Sequence, residues 1–180
     1  MTNLLEDGLA AAADRILRES DPVEKTGLSR RTAAAWREAR GDGAICGVGT
    51  ACPPDRPARP PRPDLKHPRE MPRRRPGSPS GRIALLHAVA HIELNAVDLH
   101  WDIIARFSAI DMPAGFYDDW VSAADDESKH FMLLAARLEA RGSFYGDLDA
   151  HAGMWDAALA TSDDLIARLA IVPMVLEARG

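Results

Sequence analysis

Long apolar runs, paired cysteines and strand-like alternation are all missing from this sequence, and each absence removes a class of protein. No stretch of the 180 residues is apolar for long enough to span a bilayer. The opening residues, Met1 to Asp7, lack the basic, apolar and small-residue blocks of a secretory leader. A cytoplasmic location is the expectation that follows. Cys46 and Cys52 are the only thiols, with no second pair and no adjacent histidine pair, so they match no zinc-site spacing. A reducing compartment also argues against a disulfide, and both cysteines read as incidental. Without alternation or an internal repeat, helix is the regular element left.

What is present is globular: 46% hydrophobic and 27% charged, in a length that suits one domain. The net charge of -5 conceals an asymmetry. From Arg56 to Arg75 there are eight Lys/Arg against two acids, Asp64 and Glu70, and ten of the thirteen prolines fall between Pro53 and Pro79. Residues 41–80 therefore read as an extended, polyproline-like strap. A basic arm on an acidic body can meet phosphate or an acidic partner, so nucleic acid stays open as a partner. No aromatic interleaves with its arginines to stack bases, and the favoured reading lays the arm across the acidic bundle of its own chain.

Residues 1–40 precede the strap as a helical segment. It holds an alanine-rich helix over Leu4–Glu19, stopped by Ser20-Asp21-Pro22, and a second over Ser29–Arg40. Residues 81–180 carry the longer periodicities. Ile83–Ile110 and Ala114–Arg141 read as two long helices, Asp147–Ala160 as a shorter one, and Thr161 to Asp164 as the cap of a last helix reaching Ala178. Long helices on short turns predict an all-α antiparallel bundle.

Within those helices some carboxylates are out of place. Leu86, Val89, Ala90, Ala96, Val97 and Ile104 trace one apolar stripe, and Glu93 sits in its middle, whereas Asp98 and Asp102 fall away from it with Asn95. On the next helix Trp120, Ala123, Ala124, Phe131, Leu134 and Leu138 enclose Glu127 and His130. Glu177 continues an apolar side formed by Ile166, Ala170, Pro173 and Met174. A buried lone carboxylate is costly, so such a group is paired, protonated or bound to a metal. Glu-x-x-His places both side chains on adjacent turns of one face, the spacing that dinuclear iron and manganese bundles use. Each acid alone is more often solvated or salt-bridged; the coincidence on three successive helices points to metal. Iron or manganese suits oxygen donors with imidazole. His87 and His91 flank Glu93, either to donate hydrogen bonds to metal-bound carboxylates or as ordinary partly buried histidines. His100, two turns beyond Glu93, falls on the same face.

Several of these stretches are also ordered motifs. Met71-Pro-Arg-Arg, Gly81-Arg-Ile-Ala-Leu-Leu-His-Ala-Val-Ala-His-Ile-Glu-Leu-Asn, Asp126-Glu-Ser-Lys-His-Phe, Tyr145-Gly-Asp and Val172-Pro-Met-Val-Leu-Glu-Ala-Arg-Gly resemble the DUF455 family of ferritin-like proteins, over nearly the whole chain. The resemblance implies a ferritin-like bundle with Glu93, the Glu127/His130 pair and Glu177 as ligands of a dinuclear iron or manganese centre. Ferritin-like relatives include oxygen-activating hydroxylases and oxidases, and one related group hydroxylates a modified tRNA base. Such bundles are expected to continue into a further helix with a second Glu-x-x-His, whereas this chain stops at Gly180. The expectation is an incomplete bundle that associates as a dimer or other homo-oligomer. Three functions follow: an oxygen-activating oxidoreductase, a non-catalytic helical interaction module that has lost its metal, or a tRNA-directed hydroxylase.

Overall fold

Proline begins helices here more often than it ends them. Pro22 lacks an amide that the first turn would leave unbonded anyway, and Asp21 Oδ1 accepts from the amides of Val23 and Glu24, both at 2.9 Å. The helix read as starting at Ser29 therefore starts at Pro22. Pro79 repeats the device, with Ser78 Oγ accepting from Gly81 N at 2.9 Å. The computed structural model describes residues 3–41, 47–71, 77–151 and 153–171. They form helices α1 (Leu9–Arg18), α2 (Pro22–Gly41), α3 (Pro79–Arg106), α4 (Ala114–Glu139), α5 (Gly153–Leu159) and α6 (Leu165–Ile171). The only strands among the described residues are β1 (Leu65–Lys66) and β2 (Ala150–His151), paired in parallel. The fold is an all-α helical bundle. No helix of the described residues is long and apolar enough to cross a membrane.

α3 is the central element: α1, α2, α4 and α5 all pack on it. The main core joins Leu9, Ile16 and Leu17 of α1 to Trp36 of α2, Val97, Trp101 and Ile104 of α3, and Val121 of α4. A second cluster sets Ala90 and Leu94 against Phe131, Leu138 and Tyr145. From Leu94 to Ala105 every residue of α3 is buried. That corrects the view that Asp98 and Asp102 point away from the core, since both are fully buried. The stripe argument assumes a helix with a wet side, and over this stretch α3 has none.

The strap is ordered over residues 47–66 and lies on the bundle. Gly47 O and Val48 O accept from Leu9 N and Ala10 N at 3.3 and 2.8 Å, so the strap supplies the acceptors that the first turn of α1 lacks. Gly8 makes this approach possible: its φ is +91°, and a Cβ there would meet Val48 O at 2.8 Å. Further along, the strap carbonyls of Cys52, Pro54, Asp55 and Ala58 accept from Arg18, Arg106, Trp155 and Lys25. Arg56 pairs with Asp156, Arg59 with Asp98 and Lys66 with Asp149. For these residues the basic arm does lie across the acids of its own chain. Arg73, Arg74 and Arg75 lie outside the described residues.

Candidate metal centre

Three polar layers fix the rotation of α4 and hence where its Glu-x-x-His points. On the side facing α2, Asp118 accepts from Trp36 Nε1 at 2.8 Å and pairs with Arg40, while Asp125 accepts from Arg37 at 2.8 Å. Ser128 Oγ lies 2.8 Å from Ser29 Oγ, which accepts from Trp101 Nε1 at 2.8 Å, tying α2, α3 and α4 together. With those positions committed, Glu127 and His130 turn toward the opposite side, where α3 presents Glu93. The two helices run antiparallel, because Glu93 meets Glu127 and His130 while His100, further along α3, tilts on Trp120 at 5.3 Å.

Glu93, Glu127 and His130 each offer one donor atom, and the three lie within 4.8 Å of one another. His130 Nδ1 is 2.9 Å from Glu127 Oε2 and 3.8 Å from Glu93 Oε2. Exposure rises outward, from 19% for the Glu93 side chain and 23% for Glu127 to 54% for His130. Burial, then the hydrogen bond with Glu127 and its charge, push the Glu93 carboxyl up to about 8. Burial acts the same way on Glu127, but hydrogen bonds from Glu93 and His130 outweigh it and hold Glu127 below the usual range. His130 is raised, chiefly by its hydrogen bond to Glu127. At neutral pH the acids therefore share a proton, with Glu127 as the acceptor of both neighbours. Two carboxylates and an imidazole so gathered are the oxygen and nitrogen donors that iron or manganese takes, and a cation can replace the protons that now hold them together. Glu177, the fourth ligand inferred from the sequence, lies outside the described residues.

The other histidines are placed differently. His100 is buried beside the group, and burial holds it at about 4, so it is a neutral inner wall. His91 stands two residues before Glu93, about 200° round the helix at 3.6 residues per turn. Its Nε2 faces the His151 carbonyl at 3.0 Å, an acceptor only, so Nε2 carries the proton and Nδ1 accepts from Tyr145 OH at 2.8 Å. Both nitrogens are thereby occupied, and burial keeps His91 at about 4. His87 Nε2 accepts from Gly146 N at 2.9 Å, and its ring stacks on Tyr145 at 5.4 Å. Together these two histidines anchor residues 145–151 to α3.

Sequence reasoning missed a buried ionic layer one turn deeper. Lys25 Nζ bonds Asp98 at 2.6 Å and Ala58 O at 2.9 Å. Asp102 takes Arg106 at 2.7 Å and Arg168, whose guanidinium also lies over the Phe107 ring. The signal was available: two aspartates four apart inside a largely apolar run require cations, of which Arg106 stands one turn on and the others come from outside the helix.

Comparisons with known proteins agree on kinship and leave function open. The family described as "Protein of unknown function (DUF455)" matches residues 18–180. A relative from Haemophilus influenzae, described as an uncharacterized protein, is 43% identical over 126 residues, 67% of this chain. The chain spans 44% of that relative's length. No solved structure matches it.

Proposed function

Because the chain belongs to the DUF455 family, whose description assigns no function, we propose one from the side chains: Glu93, Glu127 and His130 hold iron or manganese as part of a carboxylate-bridged pair in a ferritin-like bundle, serving an oxygen-dependent oxidation. The observation that carries this reading is the convergence of three donor atoms within 4.8 Å, from two helices whose rotation is fixed by unrelated contacts. Glu127, hydrogen-bonded on both sides, is the bridging candidate, Glu93 binds after losing its proton, and His130 supplies a nitrogen. Glu177 is proposed as a further carboxylate. When bound, the metal supplies oxygen activation and redox chemistry; the chain supplies orientation and, through buried His100 and half-buried Trp120, a dry inner wall. Reconstitution with ferrous iron or with manganese, followed by metal analysis, tests this. Stoichiometric metal is expected for the native chain, with loss in Glu127→Ala and in His130→Ala. Equal metal content in all three sinks the reading.

A second reading has its own support. Glu127 and His130 already satisfy each other at 2.9 Å, and His130 is more than half exposed, as a non-catalytic helical interaction module would tolerate. In that case thermal stability is indifferent to metal and to chelator. A tRNA-directed hydroxylase draws less support from the described strap residues, since Arg56, Arg59 and Lys66 pair with Asp156, Asp98 and Asp149, while Arg73, Arg74 and Arg75 lie outside them.

A further inference from the structure

In the buried ionic layer, positive charge is in excess. Asp98 is shared by Lys25 and Arg59, and Asp102 by Arg106 and Arg168, so four cations meet two carboxylates. Three of the four also reach a backbone carbonyl: Lys25 that of Ala58, Arg106 that of Pro54 and Arg168 that of Ala158. Arg59 has none among the described residues. Its Nη2 donates to Asn95 Oδ1 at 2.6 Å and lies 3.5 Å from Asp98 Oδ2, and among those residues its Nε and Nη1 make no hydrogen bond. Asn95 is held in turn, its amide nitrogen donating to His91 O at 2.6 Å. The guanidinium is thus fixed at one end, with most of its five donors unspent. Its side chain is 20% exposed. What it borders is a cavity of about 80 Å³ between the strap and α3, lined by Arg59, Pro60, Pro63, Leu65, His91 and Tyr145.

We propose that this cavity is an oxyanion site, in which Arg59 receives a small anion that also carries a hydroxyl, a hydrogen phosphate or a short 2-hydroxy acid, and the bound anion ties the strap to α3. A cation in an enclosed recess of low dielectric attracts an anion more strongly than one on the surface. Guanidinium donors also match the oxygens of carboxylate and phosphate. The rest of the wall agrees. His91 has both ring nitrogens occupied and is neutral, so it neither competes for Arg59 nor adds charge. Tyr145 OH donates to His91, which leaves its oxygen to accept from the hydroxyl of the ligand. Pro60, Pro63 and Leu65 supply apolar wall. The acids nearby in the chain are already taken, Asp64 by Arg62 and Asp149 by Lys66. The volume lies far below the roughly 300–1,000 Å³ of a drug-sized ligand's pocket, which limits the occupant to a few heavy atoms. This site is separate from the metal group, since His91 and Glu93 lie about 200° apart round α3.

The test titrates the full 180-residue chain with phosphate, glycolate or acetate, against chloride at matched ionic strength, by calorimetry and thermal melting. The expected result is saturable one-to-one binding of phosphate or glycolate that raises the melting temperature, with acetate weaker and chloride inert. Phosphate ahead of glycolate identifies a phosphate site, and the reverse order a hydroxy-acid site. Acetate as tight as glycolate removes Tyr145 from the site and overturns the ligand class. Arg59→Lys keeps the charge but loses the planar donors, and should weaken binding about tenfold or more. Arg56→Ala, in the same strap but paired with Asp156 on the surface, should bind as the native chain does. Because Arg59→Lys can also loosen the strap, hydrogen exchange on the native chain gives an independent reading: the bound anion should slow the amides of Arg62, Asp64 and Leu65. Absence of saturable binding overturns the proposal, as does unchanged exchange at those three amides. Binding undiminished in Arg59→Lys, or weakened equally in Arg56→Ala, shows diffuse attraction to the strap and overturns it too.

Discussion

Glu93 and Asp98 stand five residues apart on one helix, and the fold treats them in opposite ways. Glu93 is held beside a second acid and keeps its proton up to about 8. A group whose folded pKa is raised contributes stability below its unfolded value, and that contribution is lost as pH climbs through the folded value. Raised His130 acts in the same direction, while lowered Glu127 contributes at higher pH and loses its share on acidification. Without metal, the melting temperature should therefore fall as pH rises from the ordinary carboxyl range to about 8, and calorimetry of Glu93→Gln should show a shallower fall. An unchanged slope would remove Glu93 from the account. Asp98 faces Lys25 in a pair only 2% and 0% exposed, yet burial still pushes its carboxyl up, so desolvation exceeds the attraction of Lys25 and Arg59. Lys25→Met should cost up to about 3–5 kcal/mol in urea unfolding, because it leaves the buried Asp98 carboxylate with only the more distant Arg59 at 3.5 Å. Lys25→Met with Asp98→Leu should recover most of that loss; no recovery would mean the pair is strongly stabilising. Glu93 was legible because an acid interrupts an apolar stripe. Asp98 carried the same kind of signal and was misassigned, because periodicity shows which residues share a face but not how many faces are covered.

At the scale of elements, the long helices were readable and their starting points were not. Periodicity marked α3 and α4 to within a few residues, but Pro22 and Pro79 were read as a stop and as part of the strap, when each occupies the first helical position. The short α5, expected from Asp147, begins at Gly153 after the β1–β2 pairing. A two-residue pairing between segments so distant in sequence leaves no local pattern to find. The strap was legible as extended and proline-rich, but its docking was not, because proline removes amide donors and leaves carbonyls, which every sequence has. Its start can be tested at Gly8, where positive φ and the closeness of Val48 O both exclude a side chain. Gly8→Ala should cost on the order of 1–3 kcal/mol. Hydrogen exchange should show the amides of Leu9 and Ala10 losing protection first; retained protection there would show that the strap does not cap α1.

For the molecule as a whole, an all-α bundle was plain from the sequence, but what gathers its helices was not. That is the strap. Within seven residues, the carbonyls of Cys52, Pro54, Asp55 and Ala58 receive donors from α1, α3, α5 and α2 respectively. These acceptors are backbone atoms, so their identity survives almost any exchange of side chain, but their order along the chain does not survive a change in length. Substitution and insertion should therefore diverge sharply. Arg56→Ala, which removes an exposed ion pair, should change unfolding free energy by less than about 1 kcal/mol. One alanine inserted after Arg56 should cost several times more, because Ala58 O slips from Lys25 while Asp55 O stays on Trp155. Comparable losses from the two changes would show that the strap merely rests on the surface. Drift in this segment is then constrained as a ruler is, by its spacing rather than by what is written on it.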